Sequence, residues 1–160
     1  TRTGSEETSA EDRARAVGRI QDFADRAAEH GLEIGLEFHG RTLTDEIGST
    51  LRLLDEVGRA NVLTYWQPHQ DMPTREALDT LRAALPRTST IHVFSWWPRS
   101  ERLPLAERSD LWEAAFAILA ATGKDRDALL EFVPGDDPAL LQREADALRT
   151  LITAGEEIAR

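Results

Sequence analysis

In the stretch Leu32-Glu33-Ile34-Gly35-Leu36-Glu37-Phe38-His39-Gly40 the apolar residues alternate. Leu32, Ile34, Leu36 and Phe38 share one face, and Glu33, Gly35 and Glu37 share the other. A period of two is that of a β-strand, and helical patterns precede and follow it. A strand set between helices implies a parallel sheet whose apolar face those helices cover. Glu37 then lies on the opposite face at the strand's C-terminal end, with His39 just beyond. In α/β folds, and in (β/α) barrels above all, that end carries the chemistry. Glu37 is a site candidate on position alone.

The same unit recurs along the chain. Residues 1–8 read as a polar loop. Ser9 opens a helix, with Asp12 as a weak capping box, and Val17, Ile20, Ala24 and Ala27 form its apolar stripe before Gly31 closes it. After the first strand, the turn Arg41-Thr42-Leu43-Thr44-Asp45 leads to a helix marked by Ile47, Leu51, Leu54 and Val57 and ended by Gly58. Residues 61–67 are rich in β-formers and stop at Pro68, which predicts a second strand. Thr74 caps a helix carrying Leu78, Leu81 and Leu85, ended by Pro86. Residues 90–96 predict a third strand, with His92, Phe94 and Trp96 inward if Ile91 and Val93 face the helices. A long loop over 97–108 holds Pro98, Arg99, Arg102 and Pro104, and connections of that length are often functional.

A helix over 110–122 with Leu111, Ala115, Ile118 and Leu119 inward, a strand over 128–133, and a helix begun by Asp137-Pro138 with Leu141, Ala145, Leu148 and Ile152 complete the pattern. The fold class is α/β, of (β/α) TIM-barrel type. About four βα units make half of an eight-stranded barrel, read as one domain over residues 1–160. A lone half leaves two open sheet edges, so the sequence calls for further strands or a homo-oligomeric partner. The chain opens at Thr1 without an initiator methionine, which reads as a truncated or processed start.

Composition narrows the partners. The 160 residues are enough for a domain with a real core. A net charge of -10 argues against binding a phosphate backbone, and no apolar run approaches the roughly 20 residues that span a bilayer. With no cysteine there is neither a disulfide nor thiolate chemistry. The expectation is a cytoplasmic protein acting on small molecules, with no nucleic acid and no membrane as partner.

Four strand ends bring together Glu37, the segment Tyr65-Trp66-Gln67-Pro68-His69, His92 and Glu131. Two carboxylates and an imidazole from separate strands suit a divalent ion such as Mn²⁺, Mg²⁺ or Co²⁺. The two glutamates also suit proton transfer on either side of a carbon next to a carbonyl. Trp66 and Trp96 offer aromatic faces for a sugar, and Trp97 is a further candidate. Arg99 and Arg102 could clamp a phosphate or carboxylate from the long loop, while Trp112 and His30 read as core and helix end.

On Gly35-Leu36-Glu37-Phe38-His39-Gly40 with Thr42-Leu43-Thr44-Asp45, then Ile91-His92-Val93-Phe94 and Leu129-Leu130-Glu131-Phe132, the chain resembles the C-terminal half of the xylose isomerase-like TIM-barrel family of sugar phosphate isomerases and epimerases. That resemblance implies a metal held by Glu, Asp, His and Glu. Glu37, His92 and Glu131 match three of these, with Glu37 and Glu131 also catalytic. The family's aspartate falls at Trp66 or, one residue on, at Gln67, whose amide oxygen would be a neutral ligand. His69 fits the family's substrate-contacting histidine, and His39, Trp66, Trp96 and Arg102 are the further candidate substrate contacts. The lysine usual after the third ligand is replaced by Phe94-Ser95-Trp96. The implied activity is metal-assisted isomerisation or epimerisation of a sugar or sugar phosphate. The alternatives are a metal-dependent hydrolase or lyase of the same superfamily and a non-catalytic sugar-binding barrel.

Overall fold

A computed structural model describes residues 3–160, so Thr1 and Arg2 of the expected N-terminal loop lie outside the described residues. Five helices, α1 (Ala10–Glu29), α2 (Ile47–Val57), α3 (Thr74–Ala84), α4 (Ser109–Ala120) and α5 (Leu141–Ile158), alternate with four strands. These are β1 (Ile34–Glu37), β2 (Val62–Trp66), β3 (Thr88–Val93) and β4 (Asp127–Leu130). The strands are parallel and hydrogen-bonded in the order β1-β2-β3-β4, the βα succession that the sequence pattern implies. The chain divides into two compact units, one comprising residues up to Trp66 with Pro86–Thr90 and the other Gln67–Leu85 with Ile91–Arg160.

In the first unit, α1 starts where the sequence places it. The Ser9 hydroxyl accepts the Asp12 N–H at 3.0 Å, satisfying one of the free donors of the first turn. Gly31, at φ 67°, ends the helix in the left-handed region. Gly58 does the same for α2 at φ 59°. The core is Ala24, Leu53, Leu54, Val57 and Val62, with Val17, Ile20, Ile34, Leu36, Leu43 and Leu51 packed around it. Ile34 and Leu36 therefore face the helices, as their alternation predicts, and Gly35 and Glu37 face the other way.

Leu32 stays exposed, because β1 begins two residues later, where the Ile34 N–H meets the Asn61 carbonyl. On the inner face Tyr65 explains Gly35. A Cβ there would fall 1.8 Å from Tyr65 Cε1, so the strand keeps a glycine despite its entropic cost.

In the second unit, α3 begins at Thr74 itself, with Pro73 in the capping position. The Thr74 hydroxyl is no cap: it donates to Asp110 Oδ2 at 2.6 Å. β3 ends at Val93 and does not reach Trp96, because the backbone beyond it is taken by the following loop. Trp96 pairs antiparallel with Arg102, and the Leu103 N–H donates to the Ser95 carbonyl at 2.8 Å. β4 is likewise shorter than expected, although the Glu131 N–H still donates to the Val93 carbonyl at 3.1 Å.

Trp112 is fully buried, as expected, and its indole N–H donates to the Phe94 carbonyl at 3.1 Å. The last helix differs in phase from its expected stripe. Asp137 caps a short 3₁₀ turn over Pro138–Leu140, and α5 then buries Glu144, Leu148, Leu151 and Gly155, leaving Leu141 exposed. The phase is set by α4: a Cβ on Gly155 would lie 2.4 Å from Phe116 Cβ and 2.8 Å from the Ala117 nitrogen.

Two glycine replacements should act in opposite directions. Gly155→Ala overpacks α4 against α5 and should cost roughly 1–3 kcal/mol. Gly18→Ala, in the middle of α1 where nothing lies within 4 Å of the new methyl, should stabilise by roughly 0.5–1 kcal/mol. Urea denaturation of both variants checks the pair, and a neutral Gly155→Ala would contradict the packing described.

Candidate active site

Three residues of the second unit converge at the C-terminal ends of β2, β3 and β4. Gln67 immediately follows β2 and is buried. His92 Nδ1 lies 2.9 Å from Gln67 Oε1 and 3.6 Å from Glu131 Oε2. With Nδ1 protonated, the ring N–H donates to the Gln67 amide oxygen. The His92 and Glu131 side chains are 15% and 28% exposed, so both reach solvent from a largely covered position.

The alternation of β2 sets Trp66 and Gln67 on different faces. Val62 packs into the helical core and Trp66, on the same face, is fully buried. Trp66, expected as a substrate contact, is fully buried, so its ring does not reach solvent. Gln67 takes the strand-end position.

Glu37 ends β1 in the first unit. The turn after it is tied back to Glu37 by hydroxyls: Thr44 Oγ1 donates to the Glu37 carbonyl, and Thr42 Oγ1 donates to the His39 carbonyl at 2.7 Å. The threonines that read as capping residues thus brace the strand end. His39 lies in this turn with Nδ1 2.7 Å from the Gly40 carbonyl. His69 lies half-buried in the loop after β2, where its carbonyl accepts the Met72 N–H at 3.2 Å.

The loop after β3 brings Trp96 and Arg102 together. The Arg102 guanidinium lies 4.8 Å from the Trp96 ring centre and 4.6 Å from that of Phe132, and it pairs with Asp136. Phe94, Trp96 and Phe132 form one aromatic cluster, with centroids 4.8–5.9 Å apart. Arg99 contributes its backbone, whose N–H donates to Asp71 Oδ1 at 2.8 Å. Trp97 packs under the Arg108 guanidinium at 4.8 Å. Arg108 is buried and donates to the Met72 carbonyl and Thr74 Oγ1. Burial pushes its pKa down, and the nearby Asp110 charge opposes that shift.

Glu144 is a residue the sequence reading passes over. It is 2% exposed, accepts the Leu105 N–H at 2.7 Å and pairs with Arg143 at 2.7 Å. It thereby fixes the point where the loop bearing Arg102 joins α4. The signal was present: Glu144 is the polar member of the buried series Glu144, Leu148, Leu151 and Gly155, spaced as one helical face.

No family model matches the chain. Over 59 residues, 37% of this chain, it is 41% identical to a 3-dehydroshikimate dehydratase of Bacillus anthracis, of which the match covers 21%. Among solved structures, a probable 3-dehydroshikimate dehydratase of Bacillus anthracis, AsbF, involved in petrobactin synthesis, superposes with a TM-score of 0.69 at 23% identity, over 92% of this chain and 60% of that one. L-ribulose 3-epimerase superposes with a TM-score of 0.63 at 17% identity, over 96% of this chain and 57% of that one. Both neighbours are xylose isomerase-like TIM-barrel enzymes. The fold is that of part of such a barrel. The chain spans about three fifths of the length of these solved relatives.

Glu144→Ala leaves the buried Leu105 N–H without an acceptor and should cost about 1–3 kcal/mol, whereas Glu144→Gln keeps an acceptor and should cost less. Equal stabilities of the two variants in urea would show that the bond contributes nothing.

Proposed function

We propose that the chain is part of a single barrel domain catalysing proton transfer next to a carbonyl on a small hydroxylated carbon skeleton, with the assistance of a divalent ion. The observation that carries this reading is the convergence of Gln67, His92 and Glu131 at strand ends of this fold. In it, His92 and Glu131 of the second unit hold the ion, and Glu37 is the further carboxylate that the sequence resemblance implies, a donor set suited to Mn²⁺, Mg²⁺ or Co²⁺. Gln67 replaces a charged ligand by an amide oxygen. The set fits such an ion, with one negative charge fewer than four strand ends bearing a third carboxylate would give. When bound, the ion would polarise the substrate carbonyl.

The chain's own residues do the rest. Glu131 or Glu37 takes a proton from the carbon beside the carbonyl, and the C–H electron pair moves toward the carbonyl oxygen. Return of a proton to the opposite face by the other glutamate gives the epimer, and return to the neighbouring carbon, with proton transfer between oxygens, gives the isomer. His39, His69 and the Trp96–Arg102 pair are the proposed substrate contacts.

A second reading is favoured by the local 41% identity to a dehydratase. There the same proton is removed, and the electron pair expels a hydroxyl group from the β-carbon as water after it gains a proton. One chemistry, loss of a proton beside a carbonyl, underlies both. Among the described residues no helix is long and apolar enough to cross a membrane.

Thermal unfolding in EDTA and then in Mn²⁺, Mg²⁺ or Co²⁺ tests the ion. Binding to the native state at 100 times Kd should stabilise by about 2.7 kcal/mol. The rise in Tm should disappear in Glu131→Gln and grow in Gln67→Asp. A Tm indifferent to every ion in all three proteins would favour the binding-only barrel.

A further inference from the structure

The Arg102–Asp136 pair is more specific than the proton chemistry requires. The guanidinium rests against two aromatic rings, Trp96 and Phe132, tilted by 38° to one another. Aromatic faces hold a guanidinium by its plane and leave its edge N–H groups free, and that edge matches a carboxylate. Here the edge is taken by Asp136, whose side chain is 72% exposed against 27% for Arg102.

Asp136 also has an unusual backbone. Its φ is 54° and that of the preceding Gly135 is 64°. A non-glycine residue in the left-handed region costs conformational energy, and such residues concentrate at functional sites. The pair lies beside the strand ends described above, since Phe132 follows Glu131 and Trp96 is four residues beyond His92. The Trp96 indole N–H, buried and without a hydrogen-bond partner among the described residues, is a further donor at this spot.

We propose that Arg102 is a carboxylate-reading residue and that Asp136 stands in for the substrate carboxylate in the free protein. Asp136 holds the guanidinium edge over the Trp96–Phe132 floor. A hydroxy acid brings its own carboxylate to that edge and displaces Asp136, which swings into solvent. The substrate class is therefore a carboxylated polyol, and a neutral sugar lacks the group that opens the pair. This inference rests on the strand ends being an active site, but the carboxylate step needs no metal.

The test is calorimetric titration of the metal-free protein, in EDTA, with two probes. Shikimate is a cyclic hydroxy acid and myo-inositol is a cyclic polyol without a carboxylate. Shikimate should bind the wild type, fail to bind Arg102→Met, and bind Asp136→Asn more tightly. The gain should be roughly two- to fivefold, the range of an exposed ion pair removed as a competitor. Asparagine tolerates the left-handed turn, so that variant should keep its fold. Should Arg102→Met not fold, Arg102→Lys, which keeps the charge and loses the planar edge, should bind shikimate more weakly.

Myo-inositol should not distinguish the variants. Shikimate binding absent from the wild type, undiminished in Arg102→Met or Arg102→Lys, or unchanged or weakened in Asp136→Asn would overturn the inference. The shikimate pattern in a protein whose Tm ignores metals would refute the metal-assisted reading alone. A metal response without the shikimate pattern would refute only the carboxylate reading.

Discussion

A parallel strand covered by helices has two faces with different obligations, and the placement of every candidate side chain follows from them. Ile34, Leu36 and Val62 meet the first unit's helical core, which leaves the intervening residues for the other side. A shift of one residue would exchange the faces. That is why Trp66 is buried while its neighbour Gln67 reaches His92. The polar strand ends are what remains once the apolar residues have been committed to the helices.

Loops after the strands are held by single polar residues at defined points. In the first unit Thr42 and Thr44 bind carbonyls of the strand end they follow. In the second, Asp71 accepts the Arg99 N–H, Glu144 accepts the Leu105 N–H, and Arg108 reaches back to Met72 and Thr74. Glu144 and Arg108 are charged and buried, an arrangement that is stable only where hydrogen bonds replace water. The long connection between β3 and α4 is thus a braced segment, and Arg102 is presented from a supported backbone.

The element order was legible because each strand and helix carries its own period and its own stop: Ser9, Gly31 and Gly58 act where local chemistry says they should. His92 and Glu131 were legible as strand-end residues, and they do converge with Gln67. The extents of β3 and β4 were not, because Phe94, Trp96 and Phe132 have strong β propensity yet belong to an aromatic cluster outside the ladder. The phase of α5 was hidden for a different reason. Leu141 and Ile152 are as apolar as Leu148, and only the backbone of α4 against Gly155 decides which stripe turns inward. The Arg102–Asp136 pair carried no sequence signal, since it depends on a left-handed turn over Gly135 and Asp136.

The ring of Tyr65 over Gly35 has a consequence for how this sequence can change. Position 35 is not free while Tyr65 is kept, because a larger residue there has no room under the ring. Substitutions at the two sites would act on one shared volume, so their effects would not add. The inner face beside Glu37 can therefore be reshaped in one order alone, with the ring at 65 reduced before a side chain is added at 35.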